Sequence, residues 1–204
     1  LSFRGLFGSN NGIDFAKEMA GRVTFRNVYF SSFDKAIFKS KGNIANHFYD
    51  CLFHYSNFNY YAQSSNSSTI MHAGADLFIG CRFQYAYKAS FYLNNSAGVG
   101  ATSIKFLHCI FEANPGFGIF IKSYAHIPGS GISLDTVHFE ANASLSNVTI
   151  DGIDYEPLDL FSSNTNSFFI YNSNPKKIKA INSLIITYDS SFNIGGKGLY
   201  ILEN

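Results

Sequence analysis

A six-residue pattern that opens and closes on a large apolar side chain recurs five times in the first two thirds of the chain. Its copies occupy residues 25–30, 48–53, 78–83, 106–111 and 134–139. The closing phenylalanine recurs at intervals of 23, 30, 28 and 28 residues. Self-similarity with a period of about 20 to 50 residues is typical of solenoids, in which each repeat buries its apolar face against its neighbours. The spacing therefore predicts a stack of coils.

Alternation within each copy predicts which side chains face inward, because successive side chains on a β-strand point to opposite faces. The closing phenylalanine and the valine or cysteine two residues before it should line the interior. These inward pairs are Val28 and Phe30, Cys51 and Phe53, Cys81 and Phe83, Cys109 and Phe111, and Val137 and Phe139. The outward residues between and after them are Tyr29 and Ser31, Leu52 and His54, Arg82 and Gln84, Ile110 and Glu112, and His138 and Glu140.

The rest of each repeat completes a coil. Three residues before the closing phenylalanine stands a residue that mostly favours a bend: Asn27, Asp50, Gly80, His108 or Thr136. A second apolar strand follows seven to nine residues after that phenylalanine, around residues 37–38, 60–61, 91–93, 119–121 and 148–150. We therefore predict an all-β fold, a single-stranded parallel β-helix with two strands per coil and coils of 23–30 residues.

The domain organisation follows from where the repeat holds. We expect one domain over residues 1–204, cut from a longer chain because it opens on Leu1. Residues 1–21 form an N-terminal coil or cap with helical periodicity only at 13–20, residues 22–153 the regular coils, and residues 154–204 irregular C-terminal coils. The alternative fold is a β-sandwich, which needs two-residue hairpin turns. Asn11-Gly12 and Asp151-Gly152 have that chemistry but lie outside the repeat register.

The composition argues against several classes of partner and cofactor. A net charge of +1 with 14% charged residues gives no electrostatic surface for nucleic acid and no basic face for anionic lipid. No apolar run reaches the roughly 20 residues that span a bilayer. Three cysteines without a CxxC pair argue against a disulfide framework and a zinc site, although stacking leaves one disulfide possible. We expect no metal, no cofactor, no nucleic acid and no membrane partner.

The tetrapeptide Phe-Glu-Ala-Asn occurs twice, at residues 111–114 and 139–142, in the same register of consecutive coils. Glu112 and Glu140 should therefore project from neighbouring strands onto one outer face. Two carboxylates that close repel each other, which favours a proton on one of them. A protonated carboxyl beside an ionised carboxylate is what glycoside hydrolysis requires, so we predict this pair to be catalytic. Alternatively, Glu-Ala-Asn is only a strand exit and a turn.

The same outer strip, with Tyr55 and Tyr85 at its edge, carries polar and aromatic side chains that suit a carbohydrate chain. We predict that five of them bind substrate beside the glutamates: Arg82, His138, His54, Gln84 and Tyr85.

The Phe-Glu-x-Asn segments, followed by glycine-rich aliphatic strands such as residues 116–121, resemble the pectate-lyase-like β-helices of bacteriophage tailspikes and capsule depolymerases. The resemblance covers roughly residues 1–155. It implies a right-handed helix, a homotrimer in the full-length protein, and a place on the phage tail, acting outside the cell. It also implies a bacterial capsular or O-antigen polysaccharide as the partner. A secreted or cell-surface bacterial protein is the alternative setting.

Three functions stay open at this point. The first is a polysaccharide depolymerase that acts as a glycosidase through Glu112 and Glu140. The second is a polysaccharide lyase of the same fold, in which Arg82 neutralises a uronate carboxylate and His138 or a tyrosine removes the proton. The third is a non-catalytic receptor-binding or shaft module.

Overall fold

The structure is a computed structural model that describes residues 1–6, 10–15, 22–39, 45–64, 76–95, 103–124, 131–140, 142, 147–155, 169–170, 178–181 and 186–187. Every regular element within these ranges is a β-strand, and the strands stack mainly in parallel as a β-solenoid. The predicted all-β parallel β-helix is confirmed. Among the described residues, no helix is long and apolar enough to cross a membrane.

Three sheets run along the solenoid. Sheet A contains β1 (Ser2–Arg4), β4 (Tyr29–Ser31), β7 (Leu52–His54), β10 (Arg82–Gln84), β13 (Ile110–Glu112) and β16 (His138–Glu140). Sheet B contains β2 (Asn11–Asp14), β5 (Lys35–Lys39), β8 (Phe58–Ser64), β11 (Ala89–Asn95) and β14 (Phe117–Tyr124). Sheet C contains β3 (Thr24–Arg26), β6 (His47–Tyr49), β9 (Asp76–Ile79), β12 (Ser103–Leu107), β15 (Gly131–Asp135) and β20 (Ile178–Ile181).

The closing phenylalanines form a ladder inside sheet A. Neighbouring rings stack nearly parallel, with centroids 5.0, 4.9, 4.6 and 5.0 Å apart along the series Phe30, Phe53, Phe83, Phe111 and Phe139. The most exposed of these rings, Phe139, shows only 4% of its surface. The phenylalanines of sheet C pack edge-on against this ladder, as Phe106 does against Phe111. The predicted inward phenylalanine column is therefore confirmed.

The cysteine column also lies inside, as predicted. Cys51, Cys81 and Cys109 are free thiols, each buried. The neighbouring thiol of Cys81 and then burial raise the pKa of the Cys51 thiol. These cysteines therefore behave as small core side chains.

The six-residue repeat straddles a corner between two sheets. Its third residue has a positive φ in all five copies: Asn27 51°, Asp50 51°, Gly80 63°, His108 52° and Thr136 52°. The predicted bend is therefore confirmed, but the residues before it end a strand of sheet C and those after it begin a strand of sheet A. Each coil consequently has three strands, where the sequence predicted two.

A second left-handed corner follows four strands of sheet A, two residues after the closing phenylalanine, at Ser32, Tyr55, Tyr85 and Ala113. At the next position Asn114 is fully buried, and its amide donates to the carbonyl of Phe83 at 3.1 Å and to the side-chain oxygen of Asn142 at 2.5 Å. The repeated asparagine of Phe-Glu-Ala-Asn thus forms a buried ladder, and Ala113 occupies the corner. Of the two polar residues in this tetrapeptide, only the glutamate faces outward.

The next two described strands after β16 pair with each other and not with a strand of the helix. β17 (Val148–Ile150) pairs antiparallel with β18 (Ile153–Tyr155) through the turn Asp151-Gly152, whose φ values are 52° and 75°. Two positive φ values define the hairpin turn that Asp-Gly sequences favour. The prediction that residues 148–150 repeat the second strand of a coil is therefore wrong. This hairpin packs on the outer face of sheet B.

The two ends of the chain depart from the simple repeat. Ile13, where a helical turn was considered, lies in strand β2, and residues 16–20 lie outside the described ranges. Near the other end, β20 pairs in parallel with β15 and extends sheet C by one strand. The short strands β19 (Phe169–Ile170) and β21 (Ile186–Thr187) pair in parallel. Most of residues 154–204 lie outside the described part of the chain.

Candidate functional site

The predicted catalytic pair lies in one column on the outer face of sheet A, where Glu112 in β13 is in register with Glu140 in β16. Glu112 is half-buried, and its Oε2 accepts a hydrogen bond from Nε2 of Gln84 at 2.8 Å. Glu140 is exposed, and its Oε2 lies 3.1 Å from Nε2 of His138. The structure thus places the two carboxylates on neighbouring strands with access to solvent. Their catalytic role stays a prediction.

The predicted substrate-binding residues of sheet A fall into the same two outward columns. His54, Gln84 and Glu112 follow one another in consecutive strands of one column. Arg82 and His138 lie in the other column, on either side of Ile110. The strip from β7 to β16 covers three strand steps, or about 14 Å at the usual spacing between strands.

Arg82 stands out in this strip because its charge is not balanced locally. Its side chain is exposed, and it makes no ion pair with any residue that the structure describes. Its neighbours in the column, Leu52 and Ile110, are aliphatic. The guanidinium is therefore available to a negatively charged group from outside the chain.

His54 is fixed by aromatic neighbours at the other end of the strip. The hydroxyl of Tyr29 lies 3.1 Å from its Nδ1, and the rings of Tyr55 and Tyr85 meet its ring edge-on at centroid distances of 4.0 and 5.0 Å. Burial lowers the pKa of His54 from its usual 6.5. The ring is therefore mostly uncharged at neutral pH, and the Tyr29 hydroxyl and the two tyrosine rings fix its orientation.

Tyr55 and Tyr85 form an exposed stack at the corner between sheets A and B. Their ring centroids are 4.8 Å apart with 18° between the planes, and 42% and 36% of their surfaces are exposed. Both residues have a φ of 51°, a backbone conformation that costs a residue with a side chain about 1–2 kcal/mol. Ser32 and Ala113 have a positive φ at the same corner, so this backbone conformation belongs to the turn of the coil. Tyr55 and Tyr85 differ from those residues in presenting large exposed rings.

Sequence reasoning found this corner only in part. It named Tyr85 as a binding residue and placed Tyr55 with it at the edge of the strip, but it gave Tyr29 only as an outward residue. The ring of Tyr29 lies under the guanidinium of Arg4, at 5.6 Å from the ring centroid. The stack of the two other tyrosines had a signal in the sequence, because Tyr55 and Tyr85 stand at the same position of consecutive repeats. That position lies just after the strand, where alternation no longer predicts which way a side chain points.

A second polar cluster lies inside the helix, away from the outer strip. Nζ of Lys39 donates to Oδ2 of Asp76 at 2.8 Å, and both side chains are fully buried. The hydroxyl of Tyr60 donates to the same oxygen, and the backbone N–H of Asn46 donates to Oδ1 at 3.0 Å. Burial lowers the pKa of Lys39, although the charge of Asp76 opposes this effect. Within the described ranges, no group of three or more His, Cys, Asp or Glu is arranged to hold a metal ion.

The exposed strip and the tyrosine corner together combine flat aromatic faces, amide and imidazole donors, and two adjacent carboxylates. Such a surface can stack on sugar rings, bind hydroxyl groups and exchange protons with a glycosidic oxygen. Comparison of the chain with protein-family models, with curated proteins and with solved structures finds no match. The function is therefore inferred from the chemistry of the site.

Proposed function

We propose that this surface binds an extended polysaccharide and that Glu112 and Glu140 hydrolyse it. The observation that carries the proposal is the exposed stack of Tyr55 and Tyr85 beside the glutamate column. Tyr85 directly follows Gln84, and Gln84 donates a hydrogen bond to Glu112. A sugar ring that packs on the tyrosines is thus within a few strand spacings of the first carboxylate. A chain running along the helix axis continues towards Glu140.

The placement of the carboxylates favours a retaining reaction. Neighbouring strands lie about 4.8 Å apart. That spacing fits the carboxyl separation of about 5–5.5 Å in retaining glycosidases better than the 6.5–9.5 Å of inverting ones. One glutamic acid protonates the glycosidic oxygen as its bond to the anomeric carbon breaks, and the other carboxylate bonds to that carbon. Water, deprotonated by the first residue, then cleaves the glycosyl ester and restores both side chains.

A polysaccharide lyase is the second candidate, and the unbalanced charge of Arg82 favours it. In this reaction Arg82 neutralises the carboxylate of a uronate, and His138 or a tyrosine removes the proton next to it. The glycosidic C–O bond then breaks by elimination, and the product carries a double bond that absorbs ultraviolet light. Neither glutamate is required as a nucleophile.

The biological setting that we propose rests on the resemblance to tailspike β-helices. In this proposal the full-length protein is a homotrimer on a phage tail, and its substrate is a capsular or O-antigen polysaccharide of the host surface. Light scattering on a longer chain tests the trimer. A monomer at all concentrations would contradict it.

The deciding experiment incubates the protein with a panel of capsular and O-antigen polysaccharides and measures new reducing ends and ultraviolet absorbance. Glu112→Gln and Glu140→Gln each keep the shape of the side chain but not its acid–base chemistry. Each should lower the hydrolysis rate at least about 100-fold, the lower range for general acid–base catalysis, with glycan binding retained. Asp14→Asn, which removes an exposed carboxylate of sheet B, should leave the rate unchanged.

The other outcomes identify the alternatives. Parental rates in both glutamine variants would show that the pair is not catalytic. Products with ultraviolet absorbance, lost in Arg82→Gln, would identify a lyase. Glycan binding without new reducing ends in the parent protein would identify a non-catalytic receptor-binding or shaft module.

A further inference from the structure

The outer face of sheet B is aromatic, although solenoid faces that meet solvent are usually polar. Outward rings follow one another from coil to coil in the order Phe38, Tyr61, Tyr92 and Phe120, with centroids 5.8, 4.5 and 5.8 Å apart. Tyr61, Tyr92 and Phe120 form what we call the aromatic row, and none of them is more than 4% exposed. Something therefore covers this face.

The hairpin of β17 and β18 provides a cover. Val148 and Ile150 belong to the same apolar cluster as the aromatic row and are 3% and 0% exposed. At the tip of the hairpin, Asp151 accepts hydrogen bonds from the hydroxyls of Tyr92 at 2.7 Å and Tyr61 at 3.4 Å. These two tyrosines belong to earlier coils than the strand from which the hairpin departs. The hairpin therefore reaches back across the coils.

The attachment of the hairpin is limited to one side. Within the described residues, β17 pairs with β18 and with no strand of the helix. The other side faces solvent, because Thr149, Gly152, Ile153 and Asp154 are exposed. A two-stranded hairpin is at best marginally stable by itself. Segments with few buried contacts open more readily than the core that they cover.

We propose that this hairpin is a clasp that undocks from sheet B as a unit while the β-helix beneath it stays folded. The docking surface is the aromatic row, and its occupant is the chain's own segment 147–155. Opening exposes Tyr61, Tyr92 and Phe120, and closing buries them again. Val148, Ile150 and Asp151 hold the clasp shut.

Hydroxyl-radical footprinting read by mass spectrometry tests the clasp. In the parent protein, Tyr55 and Tyr85 should be labelled, and Tyr61 and Tyr92 should be protected. The double variant Val148→Ser/Ile150→Ser should raise the labelling of Tyr61 and Tyr92 to the level of Tyr85. Asp151→Ala, which removes only the acceptor at the tip, should raise it part of the way and serves if the double variant does not fold.

Two internal controls separate opening from unfolding. Tyr60 precedes Tyr61 in sequence but points into the helix and is fully buried, so clasp opening leaves it protected. Ile153→Ser makes the same chemical change as Ile150→Ser on the exposed side of the hairpin and should leave Tyr61 and Tyr92 protected. Labelling of Tyr60 along with Tyr61 and Tyr92 overturns the proposal, because the hairpin is then integral to the helix. Continued protection of all three in both clasp variants overturns it as well.

Discussion

Lys39 donates to Asp76 across 2.8 Å in the interior of the β-helix, and neither side chain reaches solvent. Removal of one partner from a buried ion pair leaves an uncompensated charge and costs about 3–5 kcal/mol. Asp76→Asn should lower the free energy of unfolding by that amount, as measured by urea denaturation.

The pair Lys35–Asp34 provides the matched comparison for this prediction. Its side chains are 23% and 28% exposed, so solvent screens the attraction between them. Lys35→Met should therefore cost less than about 1 kcal/mol. Equal losses of unfolding free energy in Asp76→Asn and Lys35→Met would show that the buried pair depends on its charges no more than the exposed pair does.

Phe111 lies in the middle of the phenylalanine ladder, stacked on Phe83 and Phe139. Phe111→Ala removes a buried ring and leaves a cavity that neighbouring coils cannot fill, so the free energy of unfolding should fall by about 3–5 kcal/mol. Ile110→Ala, on the half-buried outer side of the same strand, should cost much less. A Phe111→Ala protein that melts like the parent would rule out the ladder.

The variant Tyr55→Gly distinguishes a role of Tyr55 in glycan binding from a role in the stability of the fold. Glycine relieves about 1–2 kcal/mol of strain at a left-handed position, while loss of the stack on Tyr85 removes about 0.5–1.5 kcal/mol. These effects nearly cancel, so the free energy of unfolding should change by less than about 1 kcal/mol. Glycan affinity, measured by calorimetry, should nevertheless fall clearly. A variant with parental affinity would remove the tyrosine corner from the binding site.

His54 should make stability depend on pH on the acid side. Burial holds its pKa in the folded protein below 6.5, so the unfolded chain takes up a proton first as the pH falls. The stability contributed by neutral His54 is therefore complete above pH 6.5 and is lost as the pH falls through the lower folded value.

His54→Gln should therefore flatten the acid side of a plot of unfolding free energy against pH. Tyr29→Phe leaves the imidazole and its burial in place, so it should keep most of the slope. If His54→Gln follows the parental curve, another group accounts for the dependence on pH in this range.

The interior of sheet A could be predicted from sequence because one physical rule fixes it. Phe83 and Phe111 recur in register, and alternation along a three-residue strand leaves one possible inward face. The third sheet was missed because the corner residues, such as His108, join two short strands within a single repeat. A bend with positive φ and a bend inside one strand look alike in sequence.

The hairpin and the buried ion pair show where repeat reasoning fails. Asp151-Gly152 strongly favours a two-residue hairpin turn. Because this dipeptide lies outside the repeat register, the regular coils do not predict the hairpin. Lys39 and Asp76 lie 37 positions apart on different strands, with segments of irregular length between them. The residues around Lys39 and those around Asp76 give no indication that these two side chains pair. The outward position of Glu112 was predictable, whereas its hydrogen bond to Gln84 depends on side-chain geometry.

The backward reach of the hairpin has a consequence for the order in which the protein is assembled on the ribosome. The tip residue Asp151 binds Tyr92 and Tyr61, which are synthesised 59 and 90 residues earlier. The surface that receives the hairpin is thus complete before the hairpin emerges, and docking is a late step that needs only local diffusion. Until then the growing chain exposes a row of aromatic rings. Nascent chains that stall before residue 148 should therefore be the species most prone to aggregate.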